Sequence, residues 1–215
     1  MSAELAHGLL EGARALGLNL SPEVHRQLLD YLALLQKWNR VYNLTAVRDP
    51  AEMLTHHVLD SLAALPALNR HAPRATALLD VGSGGGLPGV VLALCRPDWQ
   101  VTCVDAVAKK AAFVQQVAAS LSVGNLRGVH SRVQDLQTQW PLITSRAFAS
   151  LADFTAWSAP VLAPGGVWVA MKGKHPQGEI DALPASVQVF HVEPLTVPGL
   201  DAERCLVWMR STVQG

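Results

Sequence analysis

Cysteine is scarce in this chain of 215 residues: Cys95, Cys103 and Cys205 are odd in number and far apart, with no CxxC pairing. That pattern excludes a cysteine zinc site or a dithiol redox pair and points to buried thiols in a reducing compartment. Net charge is also lacking, since 17 Lys and Arg balance 17 Asp and Glu. No overall field draws the chain to nucleic acid, so an RNA partner would have to be met by a local basic patch. Long apolar runs are missing too. The densest, Val90–Cys95, is far too short to cross a bilayer, and no basic segment leads into an apolar one at the N-terminus. The expectation is a soluble, cytoplasmic, monomeric protein without membrane contact.

The length suits one main domain with an appendage. Residues 1–75 carry helical signals only. A first helix fits Ala3–Leu16, closed by Gly17. Ser21 and Pro22 cap and open a second, along which Val24, Leu28, Tyr31, Leu32, Leu35 and Trp38 share one face. Asp49 and Pro50 repeat the signal for a third helix that carries His56, His57 and Asp60 and stops near Pro66. We therefore predict a helical cap over residues 1–75.

From Thr76 the pattern changes to short apolar runs, at Thr76–Val81, Gln100–Asp105, Leu126–His130, Leu142–Ser145 and Val167–Met171. Helix-length stretches at Pro88–Cys95, Lys109–Ser122 and Leu151–Leu162 alternate with them, the last ended by Pro164-Gly165-Gly166. This alternation predicts parallel strands joined by crossover helices over residues 76–215, a doubly wound α/β fold. Val187–Val192 and Arg204–Arg210 lack a helix-length connection and suit an antiparallel pair at the sheet edge.

The chemistry concentrates after the first strand. Leu78-Leu79-Asp80-Val81 runs into Gly82-Ser83-Gly84-Gly85-Gly86-Leu87-Pro88-Gly89, a glycine turn between strand and helix at the carboxyl edge, where open sheets bind ligands. A dinucleotide fingerprint read from Gly82 finds Leu87 at its third glycine position, and Pro88 supplies no N–H to a pyrophosphate. Gly82-x-Gly84-x-Gly86 instead resembles the S-adenosylmethionine motif of class I methyltransferases. Asp105, at the end of the second strand, is placed to accept hydrogen bonds from ribose hydroxyls. Both cofactor classes use that carboxylate. Asp80 orients the turn in this reading and is not a base.

Several separated strings then resemble one family, the bacterial 16S ribosomal RNA guanine-N7 methyltransferases, also called glucose-inhibited division protein B. They are Lys37-Trp38-Asn39 with Tyr42-Asn43-Leu44-Thr45, His57 with Asp60-Ser61-Leu62, and Asp80 through Gly89. Asp105 with Lys109-Lys110 and Phe113 follows, then Ser131-Arg132-Val133, Ser145-Arg146-Ala147 and Met171-Lys172-Gly173. The resemblance implies a Rossmann-like class I methyltransferase with an N-terminal helical extension, S-adenosylmethionine as methyl donor, and N7 of a guanine in a decoding-region hairpin of 16S ribosomal RNA as acceptor. It implies cofactor contacts from Gly82 and Leu87, adenine contacts from Val133 and Gln134, and Arg146 near the reacting end as the catalytic residue; Ser83, Gly84 and Gly86 in the turn and Asp105 at the strand end are the further cofactor contacts expected. The family's usual glutamate after Arg132-Val133 is Gln134 here, and an aspartate before the fourth strand is replaced by Pro141.

Guanine N7 carries an in-plane lone pair and no hydrogen, so its methylation needs no general base. Orientation alone contributes on the order of 7–11 kcal/mol. Arg146 is then expected on a phosphate or on the cofactor carboxylate. Lys109, Lys110, Arg132 and Lys172 are the candidate RNA contacts, with Arg127 and Lys174 nearby and Lys37, Arg40 and Arg48 extending the patch around Tyr42. Core packing is the favoured role for Tyr42 and for most tryptophans, Trp99 being the least constrained. His56, His57 and Asp60 lack a further ligand for a metal and are expected to fix the cap by hydrogen bonding; no metal is expected. The rivals are a methyltransferase of small molecules, an NAD-dependent oxidoreductase, and an RNA-binding assembly module with a degenerate cofactor site.

Overall fold

The computed structural model describes residues 3–212; residues 1, 2 and 213–215, the outer ends of the two predicted units, lie outside the described residues. Seven strands form one sheet in the order β3-β2-β1-β4-β5-β7-β6. They are β1 (Ala77–Val81), β2 (Gln100–Asp105), β3 (Leu126–His130), β4 (Trp140–Arg146), β5 (Leu162–Lys172), β6 (Val187–Leu195) and β7 (Arg204–Ser211). The first five are mutually parallel, and β7 runs antiparallel between β5 and β6. The late antiparallel pair thus sits at the sheet edge, as its short connection requires. Strand order reverses between β1 and β4, which opens a crevice at their carboxyl ends.

Four helices precede the sheet: α1 (Ala3–Ala15), α2 (Pro22–Tyr42), α3 (Pro50–Met53) and α4 (Asp60–His71), the last two joined by a π-helical stretch, Leu54–Leu59. Ser21 caps α2 by accepting from the Val24 N–H, and Asp49 caps α3 by accepting from Ala51 and Glu52. The third helix does not stop near Pro66. It runs on to His71, because the residues before and after Pro66 are buried, and that burial outweighs the roughly 3 kcal/mol cost of an interior proline.

The crossover helices are α5 (Gly89–Cys95), α6 (Ala108–Ser120) and α7 (Leu151–Ser158), and a short α8 (Gln177–Asp181) precedes β6. A 3-10 turn at Ala159–Val161 ends α7 early, and β5 begins before Pro164-Gly165-Gly166 because Leu162 already pairs with Trp140. One face of the sheet packs α5 and α6 together with the N-terminal helices in a single core, from Leu9 through Leu35 and Leu62 to Phe113 and Trp208. The other face packs α7 over Leu79, Val104, Ile143 and Val207. Trp99 belongs to the first core with no exposed surface, its ring 4.2 Å under the Arg96 guanidinium, so the loop tryptophan is held after all. Cys103 and Cys205 are buried and Cys95 is partly so. No helix among the described residues is long and apolar enough to cross a membrane.

Candidate active site

β1 delivers the chain into the crevice, where Gly82, Gly84 and Gly86 take φ of 65, 57 and 82°. These left-handed values are what a tight strand-to-helix turn needs and what a Cβ resists. At Gly82 there is also no room, since a Cβ would stand 2.1 Å from the Phe148 ring. The turn is fixed from three sides. Asp105 Oδ2 accepts from the Gly84 N–H at 2.9 Å, while Oδ1 accepts from Val107 at 2.8 Å. Asp80 Oδ2 accepts from Gly89 at 2.8 Å. From the cap, the buried Tyr31 hydroxyl donates to the Gly85 carbonyl at 2.7 Å.

Asp80 therefore orients the turn, as its position in the sequence suggests. Complete burial pushes its carboxyl up to about 7 against the pull of the Gly89 N–H and the Arg146 charge. Asp105 is almost as buried, but it stands at the strand end with Lys110 Nζ 3.9 Å away. Each of its oxygens has a lone pair to spare for a ligand hydroxyl.

Across the crevice, β4 ends at Arg146, and Ala147 follows with φ 50°, a strained value for a residue with a Cβ. Arg146 donates to Asp60 Oδ2 and to the His56 carbonyl, both at 2.8 Å. Arg204, from the start of β7, donates to Asp60 Oδ1 at 2.8 Å. Two guanidinium groups thus share one buried carboxylate, which leaves the cluster one positive charge in excess. His57 Nδ1 lies 3.5 Å from Arg146 Nη2, and its Nε2 is 2.8 Å from Thr45 Oγ1. That arrangement assigns the neutral tautomer with its proton toward Thr45. Burial, then the Arg146 charge, lowers His57 to about 4. His57 and Asp60 do not bond each other, because the wider π turn separates side chains that α geometry would bring together three residues apart. Each instead ties the N-terminal helical segment to Arg146.

Two cavities meet at this edge. One, about 570 Å³, is lined by Leu44, Thr45, His57, Asp60, Gly82–Gly85, Leu87, Lys110, Arg146, Lys172 and Arg204. The other, about 450 Å³, is lined by Asp105, Ser131, Arg132, Val133, Gln134, Phe148 and Trp157. Gly82, Lys110 and Ala147 border both.

The expected residues Gly82, Ser83, Gly84, Leu87, Asp105, Val133, Gln134 and Arg146 are thereby brought together, whereas Gly86 shapes the turn from behind, facing Val90. Of the expected RNA contacts, Lys110, Arg132 and Lys172 reach a cavity wall. Lys109 is exposed outside both, and Lys172 is already engaged by Glu179 at 2.8 Å and the Ala149 carbonyl at 3.0 Å. Arg127 lies near the amino end of β3, away from the crevice. Tyr42 is exposed, its ring 5.1 Å from Trp38, because α2 outruns the core there. Lys37, Arg40 and Arg48 are exposed beside it.

Four participants escaped the sequence reading. Phe148 and Trp157 pack edge to face at 5.7 Å and wall the second cavity. An aromatic two residues past Arg146, and another three past Phe154 on the following helix, were the available signals. Arg204 is 144 residues from Asp60 and carried none. The buried Asn39 accepts from Thr45 and donates to the Val47 carbonyl, shaping the loop beside the first cavity; its place in Lys37-Trp38-Asn39 was the hint.

Comparison with known proteins identifies the family and the fold. The GidB family, described as rRNA small subunit methyltransferase G, matches residues 24–207. The ribosomal RNA small subunit methyltransferase G of Acidovorax ebreus is 64% identical over 97% of this chain and 96% of its own. That of Polaromonas naphthalenivorans is 61% identical over 93% and 92%. Among solved structures, the N-methyltransferase NodS of Bradyrhizobium japonicum superposes with a TM-score of 0.57 at 14% identity, over 84% of this chain and 99% of that one. A ribosomal protein L11 methylase of Lactobacillus delbrueckii does so with 0.57 at 14%, over 72% and 79%. At such identities the likeness is one of fold.

Proposed function

The chain belongs to the rRNA small subunit methyltransferase G family, and from that premise we propose that it transfers methyl from S-adenosylmethionine to N7 of a guanine in 16S ribosomal RNA. The observation that carries the reading is the pair of cavities meeting at Gly82, with Asp105 on one side and Arg146 on the other. The residues present suit the cofactor. Asp105 offers acceptors for ribose hydroxyls, and the apolar walls of Val133, Phe148 and Trp157 suit adenine, with Gln134 at the rim to accept from its amino group. The positive excess at Arg146 and Arg204 suits a carboxylate or a phosphate.

When bound, the cofactor supplies an electrophilic methyl on a sulfonium. The protein's own residues then have only to orient and to exclude water, since N7 has no proton to remove. Neutral His57 fits that requirement, as it adds no further cation beside a purine that gains positive charge. Arg146 is the residue we assign to the reacting end, held by Asp60 and the His56 carbonyl. Lys110 and Arg132 at the crevice, with exposed Lys37, Arg40 and Arg48 around Tyr42, form the local basic surface for the RNA backbone, while Lys172 stays paired with Glu179. In this reading residues 1–75 act as a cap on the transferase unit of residues 76–215. The acceptor is the small subunit or its precursor, and the enzyme works as a cytoplasmic monomer.

The test is transfer of labelled methyl to small ribosomal subunits isolated from a strain lacking this protein, with mapping of the modified nucleotide. Label at one guanine N7 is expected. Absence of label despite cofactor binding would assign a different acceptor.

A further inference from the structure

Away from the active site, three donor atoms converge on one point. His71 ends α4, while His191 and Glu193 stand two apart on β6, beyond the irregularity between Val189 and His191, and face the same side of the sheet. His71 Nε2 lies 3.4 Å and His191 Nε2 3.7 Å from Glu193 Oε2, and all three lie within 4.8 Å of one another. A tetrahedral ion bonded at about 2.0–2.1 Å to nitrogen and oxygen separates its ligand atoms by about 3.4 Å. One of the three edges already has that length, a second is 3.7 Å, and a small rotation of two partly exposed imidazoles closes the rest.

The carboxylate is poised for a cation. Glu193 Oε1 is held by Arg70, while Oε2 is buried and accepts no hydrogen bond, although both imidazole nitrogens face it. Close approach without hydrogen-bond geometry is what nitrogen lone pairs and an oxygen aimed at a common centre produce. Arg70 fixes the carboxylate so that it offers one oxygen, and the His71 ring is braced 5.0 Å from both the His191 and Trp208 rings.

We propose that His71, His191 and Glu193 bind one divalent transition-metal ion, zinc being the best match to two imidazoles and a carboxylate, with the fourth position open to solvent. His71 follows Asp60 by 11 residues on α4, so the site is about 16 Å from the arginine cluster and plays no part in methyl transfer. It is a clip. The ion joins the last turn of the cap helices to the edge strand, whose outer side pairs with nothing among the described residues, and it stabilises the native state by mass action.

The experiment titrates zinc sulfate into the chelator-stripped full chain by calorimetry, with thermal unfolding and a cobalt(II) spectrum in parallel. One equivalent bound at micromolar zinc, a raised midpoint and a tetrahedral cobalt spectrum without a thiolate band are expected. His71→Gln and His191→Gln should each weaken binding at least about tenfold, or ~1.4 kcal/mol, while S-adenosylmethionine affinity stays unchanged and so reports an intact fold. Absence of saturable binding, wild-type zinc affinity in either variant, or a thiolate band that assigns the metal to cysteine would each overturn the proposal.

Discussion

The two cavities are built in opposite ways. The Asp105 cavity takes its walls from one stretch of chain, Val81 to Trp157, each contribution being the carboxyl end of a parallel strand or the loop or helix that follows it. The Arg146 cavity draws on the π turn before α4, the glycine turn, the end of β4 and the start of β7, and its central carboxylate bonds partners 86 and 144 residues away. The first is local succession repeated; the second depends on the N-terminal helices packing on the sheet. The difference teaches that the proposed cofactor site and the proposed reacting end rest on separable supports, one of glycine geometry and one of ion pairing across the chain.

Gly82→Asp attacks the border between the two and should have the largest effect. Its Cβ overlaps Phe148 and its φ is 65°, so about 1–2 kcal/mol of backbone strain adds to lost space. Cofactor affinity should fall by about 100-fold or more, equivalent to ~2.7 kcal/mol. Calorimetry that found unchanged affinity would remove the turn from the site.

Asp60→Asn targets the second support. Two guanidinium groups lose their shared counter-charge, and breaking such a buried pair costs about 3 kcal/mol. The urea midpoint should drop accordingly, and a midpoint within error of the wild type would show that the cluster does not hold the cap. Arg146→Ala spares the fold better, because Arg204 still pairs Asp60, but methyl transfer should fall by about tenfold or more. Wild-type turnover would make Arg146 purely structural.

The supports also respond oppositely to pH. His57 is lowered to about 4, so between pH 4 and 6.5 the unfolded chain binds the extra proton, and this contribution grows as pH rises. Asp80 is raised to about 7, so between pH 3.8 and 7 the folded chain binds the extra proton, and that contribution is lost as pH rises. Each is worth roughly 3–4 kcal/mol at most, and over their shared window they nearly cancel. Asp80→Asn should unmask a stability that climbs from pH 4 to 6.5, and His57→Gln one that declines. Parallel pH profiles for both variants and the wild type would refute the opposition.

Trp157→Ala should be the mildest change. The ring is 40% exposed, so stability stays close to the wild type. Loss of about 1 kcal/mol of aromatic contact should weaken cofactor binding about fivefold. No change in affinity would detach Trp157 from the adenine wall.

Legibility followed the same division. The strands, the glycine turn and Asp105 could be read in advance because turn geometry and strand ends are set by neighbours in sequence. Pro66 misled, since a local helix breaker was overruled by burial on both sides. Trp99 misled in the other direction, its loop position hiding a core ring. Tyr42 was read as core, although the helix extends past the core at that point. Phe148 and Trp157 were visible only as apolar residues, with no periodicity to distinguish a cavity wall from a packed layer.

By itself, then, the sequence determined the alternation of strands and helices, the glycine turn after β1 and the family, because these depend on local backbone preference and on motifs within a few residues of one another. Tertiary structure alone decided that Arg204 would join Arg146 on Asp60, that His57 would lie neutral beside them, and that His71 would meet His191 and Glu193. Burial and charge act through space, and the partners they select carry no mark of one another along the chain.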